Sequence, residues 1–236
     1  MLARLATAAL VGLTAHPVGV EVDIGRGLPA VTVVGLGGTA VLEARDRLRA
    51  AFGNTGYEWP DRRITVSLPP ADLPKHGSGY DLPIAMGLLA AAGWVPPTAL
   101  EGLWAIGELG LGGDVRAVKG VLTAALTARR SGARLLVVPQ ANLVEAALVP
   151  DLRVAGAASL GQVGEWLAGR AELGRPGAPP EPSTSPAEDL ADIRGQLQAR
   201  RALEIAAAGA TTCSSPAHRA RARRCSPGAS PACSHP

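Results

Sequence analysis

From Val118 to Gly169 the chain switches repeatedly between two hydrophobic periods, and that alternation constrains the fold more than any single motif. VKGVLTAALTARRSG carries its apolar residues at helical spacing, and ARLLVVP is a short β-branched run. ANLVEAALV is helical, LRVAGA is a strand, and SLGQVGEWLAG is helical again. Strands and helices in this order need a sheet with helices laid against it, because each helix must bury its apolar stripe on something. The expected fold class is therefore α/β (α+β).

The first hundred residues supply more of the same sheet. Residues 3–10, 17–24 and 30–35 read as strands: VGVEVDIG alternates apolar and polar residues, and PAVTVVGL is a β-branched run bounded by Pro and Gly. TAVLEARDRLRAAFGNTG is helical, with Val41, Ala44, Leu48 and Phe52 on one face and an i,i+4 pair, Glu43 and Arg47, on the other. Gly53 is expected to close it. RRITVSLPP is a further strand, followed by the loop ADLPKHGSGYD and an apolar helix over 82–93. LWAIGELGLGGDVR is expected to be a hairpin turning near Gly112 and Gly113. With only 3% aromatic residues, the core has to be built from Ala, Val, Leu and Ile. No run of 18 uncharged apolar residues occurs, so no transmembrane helix is expected. The apolar N-terminus runs straight into the strand pattern and reads as structure, not as a signal peptide.

Residues 171–187, AELGRPGAPPEPSTSPA, are rich in Pro, Gly and Ser and are expected to form a linker. EDLADIRGQLQARRALEIAAAG is amphipathic again over 188–209. One helix cannot bury its own apolar face, so this piece reads as the opening of a second domain. At 211–236 the composition changes abruptly: four arginines (Arg219, Arg221, Arg223, Arg224), no acid, and all three cysteines (Cys213, Cys225, Cys233). The formal net charge of +3 comes from there, since setting those four arginines aside leaves 19 basic against 20 acidic residues over 1–210. The body therefore offers no bulk attraction for nucleic acid. A cysteine-free body suits a reducing cytoplasm. His218 and His235 accompany the tail cysteines, but the spacings lack the paired clips of zinc sites, and no metal site is expected. The arginines could meet phosphates as a disordered basic arm. The tail lacks the apolar content that would offset the entropy of ordering it.

The loop at 71–81 gathers Lys75, His76, Ser78, Tyr80 and Asp81 at a helix start. One reading makes Ser78 a hydroxyl nucleophile activated by an amine such as Lys119. The other makes the loop a helix entry, with Asp81 as cap and Gly77 and Gly79 allowing a tight turn. GLGGT at 35–39 resembles a phosphate loop only loosely, since no lysine follows the glycines, and a strand–helix turn is expected. Glu108 and Asp114 flank the hairpin, either as a carboxylate pair or as turn residues facing solvent.

Several segments resemble one family. GLPAVTVVGL, EARDRLRAAFGNTGYEWP, ITVSLPPADLPKHGSGYDLPIAMGLLAA, GELGLGGDVRAVKG and DIRGQLQARRALEIAAAG look, in order over residues 1–209, like the magnesium-chelatase-like AAA ATPases of the YifB/ComM type. The resemblance implies a Lon-protease-domain-like, ribosomal S5 domain 2-like fold over 1–170. A linker over 171–187 and a fragment of an AAA+ P-loop domain over 188–210 would follow. It implies that Ile193, Arg194, Gly195 and Gln196 lie on the adenine side of a nucleotide, with ATP and Mg²⁺ as cofactors of the intact protein. It also implies a homo-hexamer that works on DNA, as ComM-type members drive branch migration in natural transformation. A strand and the phosphate loop GPPGxGKT should follow EIAAAGA.

Instead the pattern breaks off. When 211–236 is back-translated with mostly GC-rich codons and two nucleotides are skipped, the same string reads HLLLTGPPGAGKTMLARRLPGLLP: an apolar strand, a complete phosphate loop and the helix behind it. In such a loop backbone amides cradle phosphates, Lys neutralises them and Thr holds Mg²⁺. The tail is thus expected to be a frameshift product. The chain as translated is expected to hold no cofactor, to lack ATPase activity, and to serve at most in assembly by self-association, away from membranes. The alternatives are a serine–lysine peptidase using Ser78 and Lys119, or a chelatase-associated or chaperone-like module. Against the peptidase, the resemblance to Lon places Gly79 rather than Ser78 at the nucleophile's position.

Overall fold

The computed structural model describes residues 1–35, 39–177, 195 and 197–208. The chain divides into two compact units, Met1–Pro179 and Pro180–Pro236.

The first unit is built on a seven-stranded sheet. Its strands in chain order are β1 (Leu2–Val11), β2 (Thr14–Gly25), β3 (Ala30–Val34), β4 (Arg63–Ser67), β5 (Leu103–Ala105), β8 (Leu135–Pro139) and β9 (Val154–Ala157). In space they run β3-β4-β2-β1-β5-β8-β9. β2 is antiparallel to both its neighbours, whereas the β3–β4, β1–β5, β5–β8 and β8–β9 pairs are parallel. A separate two-stranded ribbon joins β6 (Glu108–Leu109) to β7 (Val115–Arg116). The expected hairpin is therefore shorter than its sequence signal: residues 103–105 belong to the large sheet, and only 108–116 folds back on itself.

The helices of this unit are α1 (Thr39–Asn54), α2 (Asp81–Ala91), α3 (Val121–Arg130), α4 (Leu143–Ala147) and α5 (Leu160–Leu167). Two apolar clusters cover the sheet. One joins Val18, Val20, Val22 and Ile24 of β2 and Ile64 and Val66 of β4 to α1, α2 and α5. The other joins Ala8, Trp104, Leu136 and Val138 to α3 and α4. The period of two in β8 explains the split, since Val137 points to the first cluster and its neighbours Leu136 and Val138 to the second. Ala44, Leu48 and Phe52 of α1 are buried as their spacing implies, and the side chain of Val41 lies outside the described residues. Gly53 does not end α1, which runs one residue further.

α2 is buried at every position from Asp81 to Ala91, so its apolar residues need no stripe. Gly87 lets it lie directly on the sheet: a Cβ there would sit 2.6 Å from Val22 Cγ2 and 3.6 Å from Leu5 Cδ2. The folded body also reaches past residue 170. Leu173 is buried, and Gly174 exchanges two backbone hydrogen bonds with Gly156, each 2.8 Å, at an isolated bridge on β9. In the second unit the described helix is α6, Leu197–Ala208.

Candidate functional site

The loop before α2 is held by backbone pairing to the strand-like segment 107–109. Gly107 donates its N–H to the Gly79 carbonyl (2.9 Å) and accepts from Leu82 N–H (3.0 Å). Gly77 takes φ +83°, as the tight-turn reading requires, while Gly79 is needed for space: a Cβ there would meet Ile106 Cγ1 at 3.2 Å.

Asp81 does not cap α2. It is the first helical residue, and its carboxylate turns away from the helix amides. It accepts two hydrogen bonds from the Arg47 guanidinium of α1, from Nε at 2.7 Å and Nη2 at 3.0 Å, and a weaker one from Leu109 N–H at 3.3 Å. The Asp81 side chain is 1% exposed and that of Arg47 20%. Glu43, read as the partner of Arg47, lies 3.9 Å away and is mostly exposed. Burial pushes the Asp81 carboxyl above the usual carboxylate range, against the pull of Arg47 and Leu109 N–H. The hydrogen bond to Asp81 raises Arg47 in turn. α1, α2 and β6 are thus joined through one carboxylate.

Ser78 donates its hydroxyl to Glu108 Oε2. Glu108 also lies 4.0 Å from Arg116, whose Nε binds Asp114 at 2.8 Å and holds that carboxyl below its usual range. Lys119 is exposed and makes no hydrogen bond or ion pair among the described residues. The structure therefore pairs Ser78 with a carboxylate from the ribbon, and does not bring Ser78 and Lys119 together as a hydrogen-bonded dyad. Neither carboxylate is idle: Glu108 anchors the loop and Asp114 holds Arg116.

Two further groups in the loop are buried. Lys75 is fully buried, and its ammonium donates to the Pro70 carbonyl; burial lowers its pKa, with Asp72 opposing. Tyr80 is 3% exposed, and burial pushes its phenol up to about 12. Sequence reasoning noticed Lys75 as a member of the loop but not its burial. Its position inside the unusual string PKHGSGYD was the available signal.

Among the described residues no group of three or more His, Cys, Asp and Glu side chains could hold a metal ion. Of the four residues expected beside a nucleotide base, Ile193, Arg194 and Gln196 lie outside the described residues, and Gly195 has φ +76°. GLGGT also falls partly outside them; Gly35, at its start, has φ +108°.

A helix-covered mixed sheet whose connecting loop is locked by Arg47, Asp81, Ser78 and Glu108 defines an α/β domain. The family profile described as Subunit ChlI of Mg-chelatase matches residues 20–142, and the chain belongs to that Mg-chelatase-like family. It is 46% identical over 209 residues to a protein of Mycobacterium tuberculosis, covering 89% of this chain and 42% of the relative. It is 44% identical over 203 residues to YifB of Escherichia coli (86% and 40%). Competence protein ComM of Haemophilus influenzae is 41% identical over 215 residues (88% and 42%). The chain thus spans about two fifths of the length of these relatives.

Proposed function

We propose that this chain is the Lon-like N-terminal portion of a ComM/YifB-like AAA+ ATPase, with the entrance to its motor domain in 188–210. The observation that carries the reading is the 41–46% identity to ComM, YifB and their relatives over nearly nine tenths of the chain. The intact protein would be a cytoplasmic homo-hexamer that uses ATP and Mg²⁺ to drive branch migration of DNA during transformation and recombination. ComM lends its printed name, competence protein, to that reading.

The chain itself does not fit ATP. No GPPGxGKT loop occurs in its 236 residues, so the amides, lysine and threonine that would hold the phosphates and Mg²⁺ are missing. A frame change after EIAAAGA accounts for the loss, because the skipped reading of 211–236 restores that loop in place. The remaining role is assembly or partner contact. A body with one more acid than base does not itself attract DNA strongly. The test is Mg²⁺-dependent phosphate release by the purified chain, alongside its mass in sedimentation. No hydrolysis above the protein-free blank is expected. Sustained turnover that survives repurification would overturn the loss of the cradle. No specific observation favours the peptidase reading, given the partner that Ser78 has.

A further inference from the structure

α3 and α4 lie side by side over the second apolar cluster, and two contacts fix their alignment. At one end the Leu122 N–H donates to Glu145 Oε1 (3.0 Å); at the other the Arg129 guanidinium donates to the Pro150 carbonyl (3.4 Å). The two helices therefore run the same way, with Leu126 and Leu148 between these anchors. Leu122, Leu126 and Arg129 are spaced i, i+4, i+7 and share the flank of α3 beside α4. Glu145 and Leu148, three residues apart, share the facing flank of α4, Leu148 being its helical C-terminal cap. α3 already buries a stripe of Val121, Ala124, Ala125 and Ala128 on the sheet. The leucines form a second stripe that the fold leaves open: Leu122 is 37% exposed, Leu126 36% and Leu148 61%, with Val144 beside them at 50%.

Cations border this stripe. Arg130 follows Leu126 by one turn, with Arg129 next to it; Lys119 precedes α3, and Arg153 lies three residues past Pro150. All four are exposed, and the side chains of Lys119, Arg130 and Arg153 make no hydrogen bond or ion pair among the described residues. The acids beside them are Glu145 and Asp151. Both carboxylate oxygens of Glu145 are engaged, one by Leu122 N–H and the other by Asn142 Nδ2 at 3.1 Å. The border is therefore basic in excess, and one of its two acids is taken up within the fold.

We propose that this α3–α4 flank docks an acidic amphipathic helix of a partner protein. A helix laid in a groove offers apolar residues at i, i+3, i+4 and i+7, and the two aligned helices present leucines at the same pitch. The docked helix sets that stripe on Leu122, Leu126 and Leu148, and its marginal carboxylates meet Lys119, Arg130 and Arg153. A second copy of this chain is disfavoured, because a two-fold contact would bring each basic border against its own like. A membrane surface is disfavoured too, since the open stripe holds no aromatic residue of the kind that seats interfacial helices. The inference is independent of the ATPase reading, since every residue it uses lies in the first unit.

The test is fluorescence anisotropy of the full chain with a labelled helical peptide carrying Leu at i, i+3, i+4 and i+7 on an Ala and Glu background. Saturable binding that weakens as salt rises is expected. The exposed double variant Leu126→Gln/Leu148→Gln should weaken it roughly tenfold or more, as loss of two central anchors does. Arg130→Gln/Arg153→Gln should weaken it roughly 2- to 30-fold, the range for two exposed ion pairs. Leu13→Gln, at a 97% exposed position on the β1–β2 turn, should leave it unchanged and controls for unspecific stickiness. Absence of saturable binding overturns the proposal, as does equal affinity for the same peptide with Lys in place of Glu, or indifference to the leucine pair. Self-association in sedimentation that the leucine pair abolishes would replace the partner helix with a second copy. Binding to phosphatidylserine vesicles that the pair abolishes would replace it with a membrane.

Discussion

Arg47 and Asp81 form a pair whose two ends are unequally buried, and that inequality predicts an unequal response to mutation. Replacing Arg47 with Met strands a carboxylate whose side chain is 1% exposed, with the 3.3 Å bond from Leu109 N–H as its remaining hydrogen bond. An uncompensated buried charge of this kind costs about 3–5 kcal/mol. Replacing Asp81 with Leu instead leaves Arg47 one-fifth exposed, in reach of water and 3.9 Å from Glu43. The cost there is about 1–2 kcal/mol, mostly the acceptor taken from Leu109 N–H. The double variant Arg47→Met/Asp81→Leu should cost no more than about 1–2 kcal/mol, because an apolar pair of similar volume avoids desolvating either ion while Leu109 N–H still lacks its acceptor. pH provides a second axis. Asp81 has a folded pKa above its unfolded one, so the stability from its protonation is present below the unfolded value and fades as pH rises through the folded value. Removing Arg47 takes away a group that lowers that pKa, so Arg47→Met should recover part of its deficit as pH falls from 7 towards 4. Urea unfolding followed by tryptophan fluorescence reads all of this. Equal losses in the two single variants, or a deficit in Arg47→Met that does not change with pH, would refute the reasoning.

Three other outcomes follow from the packing. Gly87→Ala places a methyl 2.6 Å from Val22 Cγ2 and should cost about 1–3 kcal/mol by overpacking, with Val22→Ala restoring part of it in the same unfolding assay. Lys75 has a folded pKa below its unfolded one, so its neutral form favours the fold: that stability is present above the unfolded pKa and lost as pH falls through the folded pKa. Lys75→Met should remove this contribution, visible as a flatter alkaline limb in stability against pH. Ser78→Ala should loosen the loop by about 1 kcal/mol, leaving Glu108 to Arg116 and water. It should leave peptide hydrolysis at the blank level in both proteins, and a serine-dependent peptidase signal would contradict the partner assignment.

The parts of the fold that follow from local pattern could be read from the sequence. The period-two alternation of VGVEVDIG predicts the buried row Val18, Val20, Val22 and Ile24, and the strand–helix order after Val118 matches α3 to α5. Relations between distant residues could not be read. Helical spacing offers Arg47 a partner at Glu43, but its buried partner Asp81 is 34 residues away and no local rule points to it. Ser78 meets Glu108 across 30 residues for the same reason. Residues 171–177 look like linker because composition averages over a window, whereas a single buried Leu173 and one backbone bridge at Gly174 suffice to tie them to β9. LWAIGELGLGGDVR carries one hairpin signal, yet its first strand finds better burial between β1 and β8.

The central proposal is that the codons for residues 211–236, read in another frame, encode the phosphate loop expected after EIAAAGA. Sequencing the genomic DNA across the codons for Ile205 to Pro236 tests it directly. The account predicts that these nucleotides, read two positions on, encode HLLLTGPPGAGKTMLARRLPGLLP without a stop codon. A shifted reading that holds a stop, or that lacks the GPPGAGKT run, would contradict it.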